Sequence, residues 1–291
     1  MAQKKHVESR LLRAGFQGEF GAFSQEATTK LLGNSAEAVP FPRFTDVFDA
    51  LVAKDLDFAV IPMENTLHGS VYENYDNLLR YECRIHAETT IRISHNLMAP
   101  PGLPFRRITR VYSHPVALNQ CLDFFRNNPQ IEKETHYDTA GSARMVMSER
   151  PEGAAAIASA TAAEIYGAKI LKRGIEDDRQ NFTRFFLLAR GEQEAPARKA
   201  LRGKTVWKTS IVFSVANKPG SLFRSVAAFA LRDLSLTKIA SRPLRGKPFD
   251  YLFYVDFLGH IEDPSVTNAL RHLEELADMM RVLGCYPKGD V

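Results

Sequence analysis

Short strand-like runs, most of them apolar, alternate with helix-like patterns along the first two thirds of the chain. The runs occupy residues 11–16, 36–41, 58–62, 108–112, 132–136, 154–158 and 170–173. Between them, apolar residues recur at the three- and four-residue spacing that is typical of amphipathic helices. Strands that alternate with helices indicate an α/β fold with a largely parallel sheet.

A longer β-like segment, residues 85–99, ends at Pro100-Pro101-Gly102. Because proline interrupts strand pairing and glycine favours turns, we expect the chain to cross here from one lobe to another. The pattern predicts two α/β lobes, about 10–100 with 175–192 and 101–174. A cleft between two lobes is a usual place for a small ligand.

A different pattern follows the two lobes. Residues 193–206 are polar and unpatterned, and we predict that they link a first domain, 10–192, to a second domain, 207–288. In the second domain the elements follow the order strand, helix, strand, strand, helix, strand. That order predicts an α+β sandwich of the ferredoxin-like type.

The composition fits a globular protein, since 45% of the 291 residues are hydrophobic and 25% are charged. The net charge is only +4 and the charges are scattered, so we expect no nucleic-acid partner. The start of the chain lacks the apolar core of a signal peptide, and no apolar stretch reaches the roughly 18 residues of a membrane helix. Cys83, Cys121 and Cys285 are odd in number and widely spaced, which favours a reducing cytoplasm.

One polar cluster stands at the start of a strand-like run. Asn181, Thr183 and Arg184 alternate with phenylalanines and lead directly into an apolar segment. A threonine hydroxyl, an amide and a guanidinium are groups that bind and protonate oxygen-rich ligands. A loop-to-strand junction is a common place for such chemistry, although an ordinary edge strand has a similar appearance.

Six stretches in order along the chain agree with one known family. They are residues 16–24, 60–66 with 69–71, 113–115 with 120–121, 138–143, 155–159 and 183–185. On these motifs the chain resembles the prephenate dehydratases with a C-terminal ACT domain, over about residues 13–286. The closely related arogenate dehydratases share the motifs, and residues 74–80 and 154–167 also resemble the plant-type enzymes.

The resemblance implies a fold, an activity and a set of site residues. The implied fold is a two-lobed catalytic domain like the type II periplasmic binding proteins, followed by the ACT domain. The implied reaction is loss of water and carbon dioxide from prephenate to give phenylpyruvate. Catalytic importance is carried to the threonine of the Thr-Arg-Phe motif, Thr183. Further active-site residues implied by the resemblance are Glu64, Asn65, Ser113, Gln120 and Asn181.

The reaction itself suggests roles for several of these side chains. Aromatisation supplies the driving force, so we expect neither a metal nor a cofactor. Hydroxide is a poor leaving group, and Thr183 is our candidate for donating a proton or a hydrogen bond to it. Neutral donors such as Ser159 suit substrate carboxylates, and Glu64 is a candidate acceptor or acid.

Two roles of Arg184 fit the sequence. Its guanidinium suits bidentate binding of a substrate carboxylate. Equally, it suits a salt bridge to the acidic residues of the preceding loop, Glu176, Asp177 or Asp178. Four histidines of the catalytic domain lack metal-ligand spacing, and we expect them to be structural: His68, His95, His114 and His136.

In the ACT domains of this family, two motifs bind phenylalanine at a dimer interface. The corresponding residues here are Gly220, Ser221 and Leu222, followed by Ser241, Arg242 and Pro243. The chain departs from the family pattern at Phe223, which is bulkier, and at Ala240, which replaces an acidic residue. We expect feedback control by L-phenylalanine in a homodimer or homotetramer. A domain that only dimerises is the alternative.

Two other functions fit the sequence. An arogenate dehydratase, which yields phenylalanine directly, shares the motifs, and the two substrates differ only in a keto or an amino group. A non-catalytic amino-acid sensor also combines a two-lobed cleft with an ACT domain. The intact Thr183-Arg184-Phe185 motif favours an enzyme over the sensor.

Overall fold

The computed structural model describes residues 11–191, 206–244, 246–247 and 249–290. The predicted linker lies outside the described residues except for Val206. The described chain divides into two compact units, one with residues up to Tyr81 and Thr89–Phe186, the other with Glu82–Glu88 and Leu187–Asp290. The predicted first domain had included the segments 82–88 and 187–192, so its bounds remain a prediction.

The first sheet has six strands in the order β2-β1-β3-β11-β5, with β4 paired to β3. Its strands are β1 Leu12–Gln17, β2 Ala36–Phe41, β3 Phe58–Asn65, β4 Gly69–Ser70, β5 Cys83–Arg92 and β11 Phe182–Arg190. The helices of this lobe are α1 Phe23–Leu32, α2 Phe44–Val52 and α3 Tyr72–Arg80. β1 pairs in parallel with both β2 and β3, as strands joined by helices do. β3 is nearly continuous in buried residues, which explains its unbroken apolar sequence.

The second sheet has five strands in the order β10-β6-β9-β7-β8. They are β6 Asn96–Ala99, β7 Arg110–Ser113, β8 Glu132–Thr135, β9 Ala154–Ala158 and β10 Lys169–Lys172. The associated helices are α4 Pro115–Asn119, α5 Leu122–Arg126, α6 Thr139–Glu149 and α7 Ala160–Tyr166. β7 pairs in parallel with β8 and β9, whereas β6 pairs antiparallel with β9 and β10. The sheet is therefore mixed rather than uniformly parallel.

The chain crosses between the two sheets earlier than the sequence predicted. β6 already belongs to the second sheet, so the crossover is the segment Ile93-Ser94-His95 and not Pro100-Pro101-Gly102. The β-like run 85–99 therefore contains parts of two strands that belong to different sheets. The alternation of side chains along an extended chain is the same in both strands, so the sequence pattern does not show the boundary. The chain returns between β10 and β11.

The two lobes of the first unit approach each other closely at Gly21. A Cβ at this position would lie 2.6 Å from Cα of Ala162, and the glycine has a φ of +89° that other residues rarely adopt. Ser159 Oγ donates a hydrogen bond of 2.6 Å to the Gly21 carbonyl. Glycine is thus required here both by space and by backbone conformation.

The second unit contains a four-stranded antiparallel sheet in the order β13-β14-β12-β15. The strands are β12 Trp207–Ser214, β13 Leu236–Pro243, β14 Tyr251–Leu258 and β15 Met279–Pro287, and the helices are α8 Ser221–Ala230 and α9 Pro264–Leu276. The apolar faces of the helices and the sheet form one core, which includes Phe213, Phe229 and Phe257. The predicted strand and helix order is confirmed. Within the described residues, no helix is long and apolar enough to cross a membrane.

Candidate active site

A cavity of about 730 Å³ lies between the two lobes of the first unit. Three of the predicted site residues line it: Asn65 at the end of β3, Gln120 after α4 and Thr183 near the start of β11. Phe23 and Phe185 contribute aromatic surface to its walls. The size and the mixed apolar and polar lining are typical of a small-molecule site. We refer to this cavity as the cleft.

Asn65 is held in one orientation by the backbone. Its Oδ1 accepts hydrogen bonds of 3.0 Å from the backbone amides of Leu67 and His68. Oxygen must therefore face the loop, and Nδ2 faces β11, where it lies 3.0 Å from Oγ1 of Thr183 and 2.7 Å from Oδ1 of Asn181. An amide nitrogen only donates, so the threonine oxygen accepts this bond. The hydroxyl proton of Thr183 is left for an acceptor in the cleft.

A second contact fixes the loop after β3 to the start of β11. The backbone amide of Thr66 donates to the Phe182 carbonyl at 2.9 Å, and its hydroxyl donates to the Gln180 carbonyl at 2.8 Å. The same hydroxyl accepts from the backbone amide of Phe182 at 3.0 Å. These bonds set the distance between Asn65 and Thr183.

Asn181 is fully buried and does not line the cleft. Its Oδ1 accepts from Asn65, and its Nδ2 has no hydrogen-bond partner among the described residues. The contact between Asn181 and substrate therefore stays a prediction. Asn181 orients Asn65, which touches Thr183.

Glu64 and Arg184 lie on the opposite face of their strands from Asn65 and Thr183, because side chains alternate along a strand. Oε2 of Glu64 lies 3.1 Å from a guanidinium nitrogen of Arg184, and the guanidinium stacks over the Phe186 ring at 5.0 Å. Neither side chain lines the cleft. The expected salt bridge to Glu176, Asp177 or Asp178 is wrong in its partner, since the partner is Glu64. Direct roles of Glu64 in catalysis and of Arg184 in substrate binding are not supported by this placement.

The hydroxyls of Ser113 and Ser159 are both used within the protein. Ser113 Oγ donates to the Ile157 carbonyl at 2.7 Å. Ser159 Oγ donates to Gly21 and accepts from the backbone amide of Ala162 at 2.9 Å, so it caps α7. Neither side chain lines the cleft. In this structure both hydroxyls stabilise the second lobe and its junction with the first, and their contact with substrate stays a prediction.

Gln120 is oriented by His95, one of the histidines that the sequence predicted to be structural. Its Oε1 lies 2.7 Å from Nε2 of His95, so the imidazole donates and the Gln120 amide nitrogen is free to donate elsewhere. His95 is 2% exposed, and burial lowers the pKa of its imidazole. The backbone amide of His95 donates to Glu176 Oε2 at 2.9 Å, and Glu176 is paired with Arg92 at 2.8 Å. His95 lies on the crossover from β5 to β6, and Glu176 lies on the returning segment between β10 and β11. The bond between them therefore joins the two segments that connect the lobes.

The N-termini of several helices line the cleft. α1, α2 and α6 each begin at its wall, with Phe23, Phe44 and Thr139 as first residues. The N-caps of α1 and α2 make no side-chain hydrogen bond to their helices, so the first backbone amides there remain available. Backbone amides at helix N-termini attract anions. Phe23 and Thr139 lie in two of the motifs that carry the family resemblance, but the sequence did not place them at the cleft.

Asp138 and His114 are among the titratable groups of the cleft whose pKa values are shifted. Burial raises the pKa of Asp138, although its Oδ1 accepts a hydrogen bond of 2.7 Å from the backbone amide of Gly141 and caps α6. Burial lowers the pKa of His114, and its Nδ1 accepts from the backbone amide of Val116 at 3.2 Å. The neutral His114 ring therefore carries its proton on Nε2. These capping roles are consistent with the expectation that His114 is structural.

The second unit has its own cavity of about 230 Å³. Gly220, Ser221 and Leu222, at the N-terminus of α8, line it as predicted for an effector site. The other three predicted effector residues, Ser241, Arg242 and Pro243, are on the edge strand β13 and do not line it. They pair in register with residues 251–253 of β14, two of which do line the cavity.

Comparison with family profiles gives two matches. The profile described as prephenate dehydratase matches residues 14–193, and the profile described as ACT domain matches residues 209–275. Together they account for both parts of the chain.

Curated relatives agree with these profiles. An arogenate dehydratase/prephenate dehydratase 2 of Arabidopsis thaliana is 45% identical over 285 residues, covering 95% of this chain and 73% of the relative. Arogenate dehydratase 2 of Petunia hybrida is 42% identical over 298 residues, covering 97% of this chain and 73% of the relative.

Solved structures with the same fold include two at 29% identity. A prephenate dehydratase from Arthrobacter aurescens in complex with L-Phe aligns with a TM-score of 0.84, over 95% of this chain and 90% of the other. A protein described as a quorum-quenching acylase of a novel type aligns with a TM-score of 0.85, over 95% and 98%. The comparison confirms the predicted two-lobed fold with a C-terminal ACT domain.

Proposed function

Because the chain belongs to the prephenate dehydratase family, we propose that its cleft converts prephenate to phenylpyruvate with Thr183 as donor to the departing hydroxyl. The chain is an enzyme of the dehydratase class, a carbon–oxygen lyase. The observation that carries the proposal is the bond of 3.0 Å from Asn65 Nδ2 to Thr183 Oγ1, which leaves the threonine proton directed away from Asn65.

The chemistry requires few groups from the protein. The carbon–carbon bond to the ring carboxylate breaks, and carbon dioxide leaves. The electron pair moves through the ring diene and expels the hydroxyl, which takes up one proton and leaves as water. A hydrogen bond from Thr183 that strengthens as negative charge develops on this oxygen stabilises the transition state more than the ground state.

The bond from Asn65 assists this step. An amide donor to Oγ1 stabilises negative charge on the threonine oxygen, which makes its hydroxyl a better donor. The side chain of Asn65 needs no rearrangement to do so, because the Leu67 and His68 amides already fix its oxygen. Such a preorganised donor costs no reorganisation at the moment of reaction.

The walls of the cleft suit a dianionic substrate. The N-termini of α1 and α2, which have no side-chain cap, present backbone amides and positive dipole ends to the cavity. Gln120, with its oxygen engaged by His95, presents an amide donor. Neutral donors and dipoles hold carboxylates without the strong pairing of a buried guanidinium, which would oppose loss of the departing carboxylate.

Arogenate is the second candidate substrate, because the curated relatives include arogenate dehydratases. An ammonium group in place of the keto group requires a carboxylate acceptor, and Glu73 and Asp138 both line the cleft. Prephenate is the substrate that we propose, and arogenate is tested beside it because these carboxylates line the cleft. Equal enzyme is assayed with each substrate, and the product acids are separated chromatographically. Turnover of neither substrate would contradict the proposed function.

The acylase-like structure raises a further candidate, hydrolysis of an acyl amide. Nucleophilic catalysis by a hydroxyl requires a neighbouring base that accepts its proton. The described contact of Thr183 Oγ1 is with an amide donor, Asn65 Nδ2. That geometry favours a hydrogen-bond donor over a nucleophile, so the dehydratase remains our proposal.

The second unit is proposed to bind L-phenylalanine as a feedback effector. The similar enzyme from Arthrobacter aurescens is solved in complex with L-Phe. Here the α8 N-terminus at Gly220 and Ser221 suits the carboxylate of an amino acid, and Tyr251 and Phe253 provide aromatic surface in the same cavity. Calorimetric titration with L-phenylalanine tests this, with Gly220→Val as the variant expected to lose binding, since Gly220 has a φ of +78°.

We propose an even-numbered homo-oligomer formed through the second unit. Phe223, Leu231 and Phe249 of this unit have 76%, 76% and 80% of their surface exposed. Exposed apolar side chains that form a contiguous patch mark association surfaces, and we propose that these three contribute to one. Light scattering coupled to size exclusion would show a monomer if the proposal is wrong. The proposed location is the cytoplasm, which suits the three buried cysteine thiols.

A further inference from the structure

A second cavity of about 480 Å³ lies in the first unit, across the β5–β6 crossover from the cleft. Alternate residues of the crossover face the two cavities, because the segment is extended. Ile93 and His95 line the cleft, whereas Arg92, Ser94 and Asn96 line the second cavity. We refer to the second cavity as the hinge cavity.

Positive charge exceeds negative charge around the hinge cavity. Arg92 is paired with Glu176, so this pair is neutral. Arg173 and Arg179 also line the cavity, and neither has an ion-pair partner within the described part of the chain. One further carboxyl, that of Glu26, belongs to the wall.

Glu26 offsets one of the two arginine charges. Its Oε1 accepts a hydrogen bond of 2.8 Å from the hydroxyl of Thr161. Burial raises the pKa of its carboxyl, which means that the negative form is disfavoured there. Two guanidiniums without an ion-pair partner against one carboxylate leave an excess of positive charge, which attracts anions.

The loop that carries both arginines is anchored to the crossover. Arg92 Nε donates to the Arg179 carbonyl at 3.0 Å, and the backbone amide of Gly174, next to Arg173, lies 3.4 Å from Oδ1 of Asn96. Asn96 is itself 3% exposed. The backbone positions of the arginines are therefore fixed before any ligand binds, which lowers the entropic cost of binding.

We propose that the hinge cavity binds a phosphate dianion, as inorganic phosphate or as the phosphate group of a small metabolite. Guanidinium forks match phosphate oxygens bidentately. A tetrahedral phosphate presents oxygens in several directions at once, so Arg173 and Arg179 engage it from their own sides. The half-buried hydroxyl of Ser94 donates to a further oxygen.

Calorimetric titration with sodium phosphate tests the site, at pH 7.5 and with sodium chloride holding the ionic strength constant. We expect saturable binding of one phosphate per chain. The double variant Arg173→Gln with Arg179→Gln should weaken it at least tenfold. The matched control is Arg106→Gln with Arg107→Gln, which removes the same charge from two exposed arginines outside this cavity.

Three results would overturn the site: no saturable binding, undiminished binding in the double variant, or equal weakening in the control pair. The second result would place the ion elsewhere, for example in the cleft. If the double variant fails to fold, Ser94→Asp decides, since a carboxylate in the cavity should abolish binding. A second titration, with glucose 6-phosphate, distinguishes the two sources of the phosphate group. Tighter binding of glucose 6-phosphate than of inorganic phosphate would indicate a metabolite, and weaker binding would indicate the free ion. These measurements do not use turnover, so they stand apart from the proposed reaction.

Discussion

Nδ2 of Asn65 lies 3.0 Å from Oγ1 of Thr183, and the threonine accepts this hydrogen bond. The direction follows from the opposite end of the same amide, where Oδ1 is engaged by two backbone amides. A hydroxyl that accepts from one side is polarised to donate from the other. Two residues 118 positions apart in sequence thereby define the donor of the cleft.

The first prediction concerns the polarity of that bond. Asn65→Ala should lower kcat about 10²- to 10³-fold, which is the usual cost of losing one preorganised donor. Asn65→Asp should be at least as damaging, because a carboxylate accepts the threonine proton instead of donating to its oxygen. Initial rates of phenylpyruvate formation, followed by ultraviolet absorbance, give both values.

The matched control for added charge is Asn34→Asp, an exposed position in the first lobe, which should keep wild-type turnover. An Asn65→Asp enzyme with near wild-type kcat would show that the direction of the bond is irrelevant to the reaction.

The second prediction separates Glu64 from the chemistry. Glu64→Gln removes the charge that pairs with Arg184 on the far face of the strands. The side chains are 35% and 14% exposed, so we expect a stability loss of about 1 kcal/mol or less and a change in kcat below about tenfold. Thermal unfolding and initial rates measure the two effects. A loss of turnover of about 10³-fold, as expected for removal of a catalytic group, would restore Glu64 as one.

The third prediction concerns stability at acidic pH. Burial holds the pKa of His95 below its ordinary value, so the unfolded state binds this proton more readily than the folded state. Stability should therefore be complete above about pH 6.5 and fall as the pH drops through that value, by at most about 1.4 kcal/mol per pH unit for this group. His95→Gln should reduce the slope.

Urea denaturation midpoints at pH 7.5 and 5.5 measure that slope. Asp138 and Glu26, whose pKa values are raised by burial, act in the opposite direction and are present in wild type and variant alike. His68→Gln, at an exposed position, should leave the slope as in wild type. An unchanged slope in His95→Gln would contradict a buried neutral imidazole.

The fourth prediction concerns the cysteines. All three are buried, and burial raises the pKa of Cys83 to about 11 and that of Cys121 further. Since the thiolate is the reactive form, the folded protein should react with a thiol reagent such as dithionitrobenzoate far more slowly than the urea-unfolded chain. Rapid labelling of the folded protein would show that these thiols are accessible.

Local sequence patterns predicted most elements of the fold. The run 154–158 and the strand 36–41 appear with the predicted bounds, because each is a short apolar segment between clear turns. The crossover at Ile93-Ser94-His95 was misplaced, since two strands from different sheets are joined there without a glycine or proline. Which sheet a strand joins depends on distant residues, which local periodicity does not record.

The candidate site was predicted unevenly for a related reason. Thr183, Asn65 and Gln120 come together in the cleft as expected. Glu64 was expected beside them from the resemblance and Arg184 from its guanidinium, but residues next to each other in a strand face opposite sides. His95 carries no local motif, and its importance comes from Gln120, 25 positions away.

The most direct test of the account compares Thr183→Ser, Thr183→Val and wild type in the conversion of prephenate to phenylpyruvate. Serine keeps the hydroxyl and should retain kcat within about tenfold, whereas the nearly isosteric valine removes the donor and should lower kcat by about 10³-fold with a smaller change in KM. A valine variant that turns over prephenate at the wild-type rate would contradict a hydroxyl of Thr183 acting on the departing oxygen.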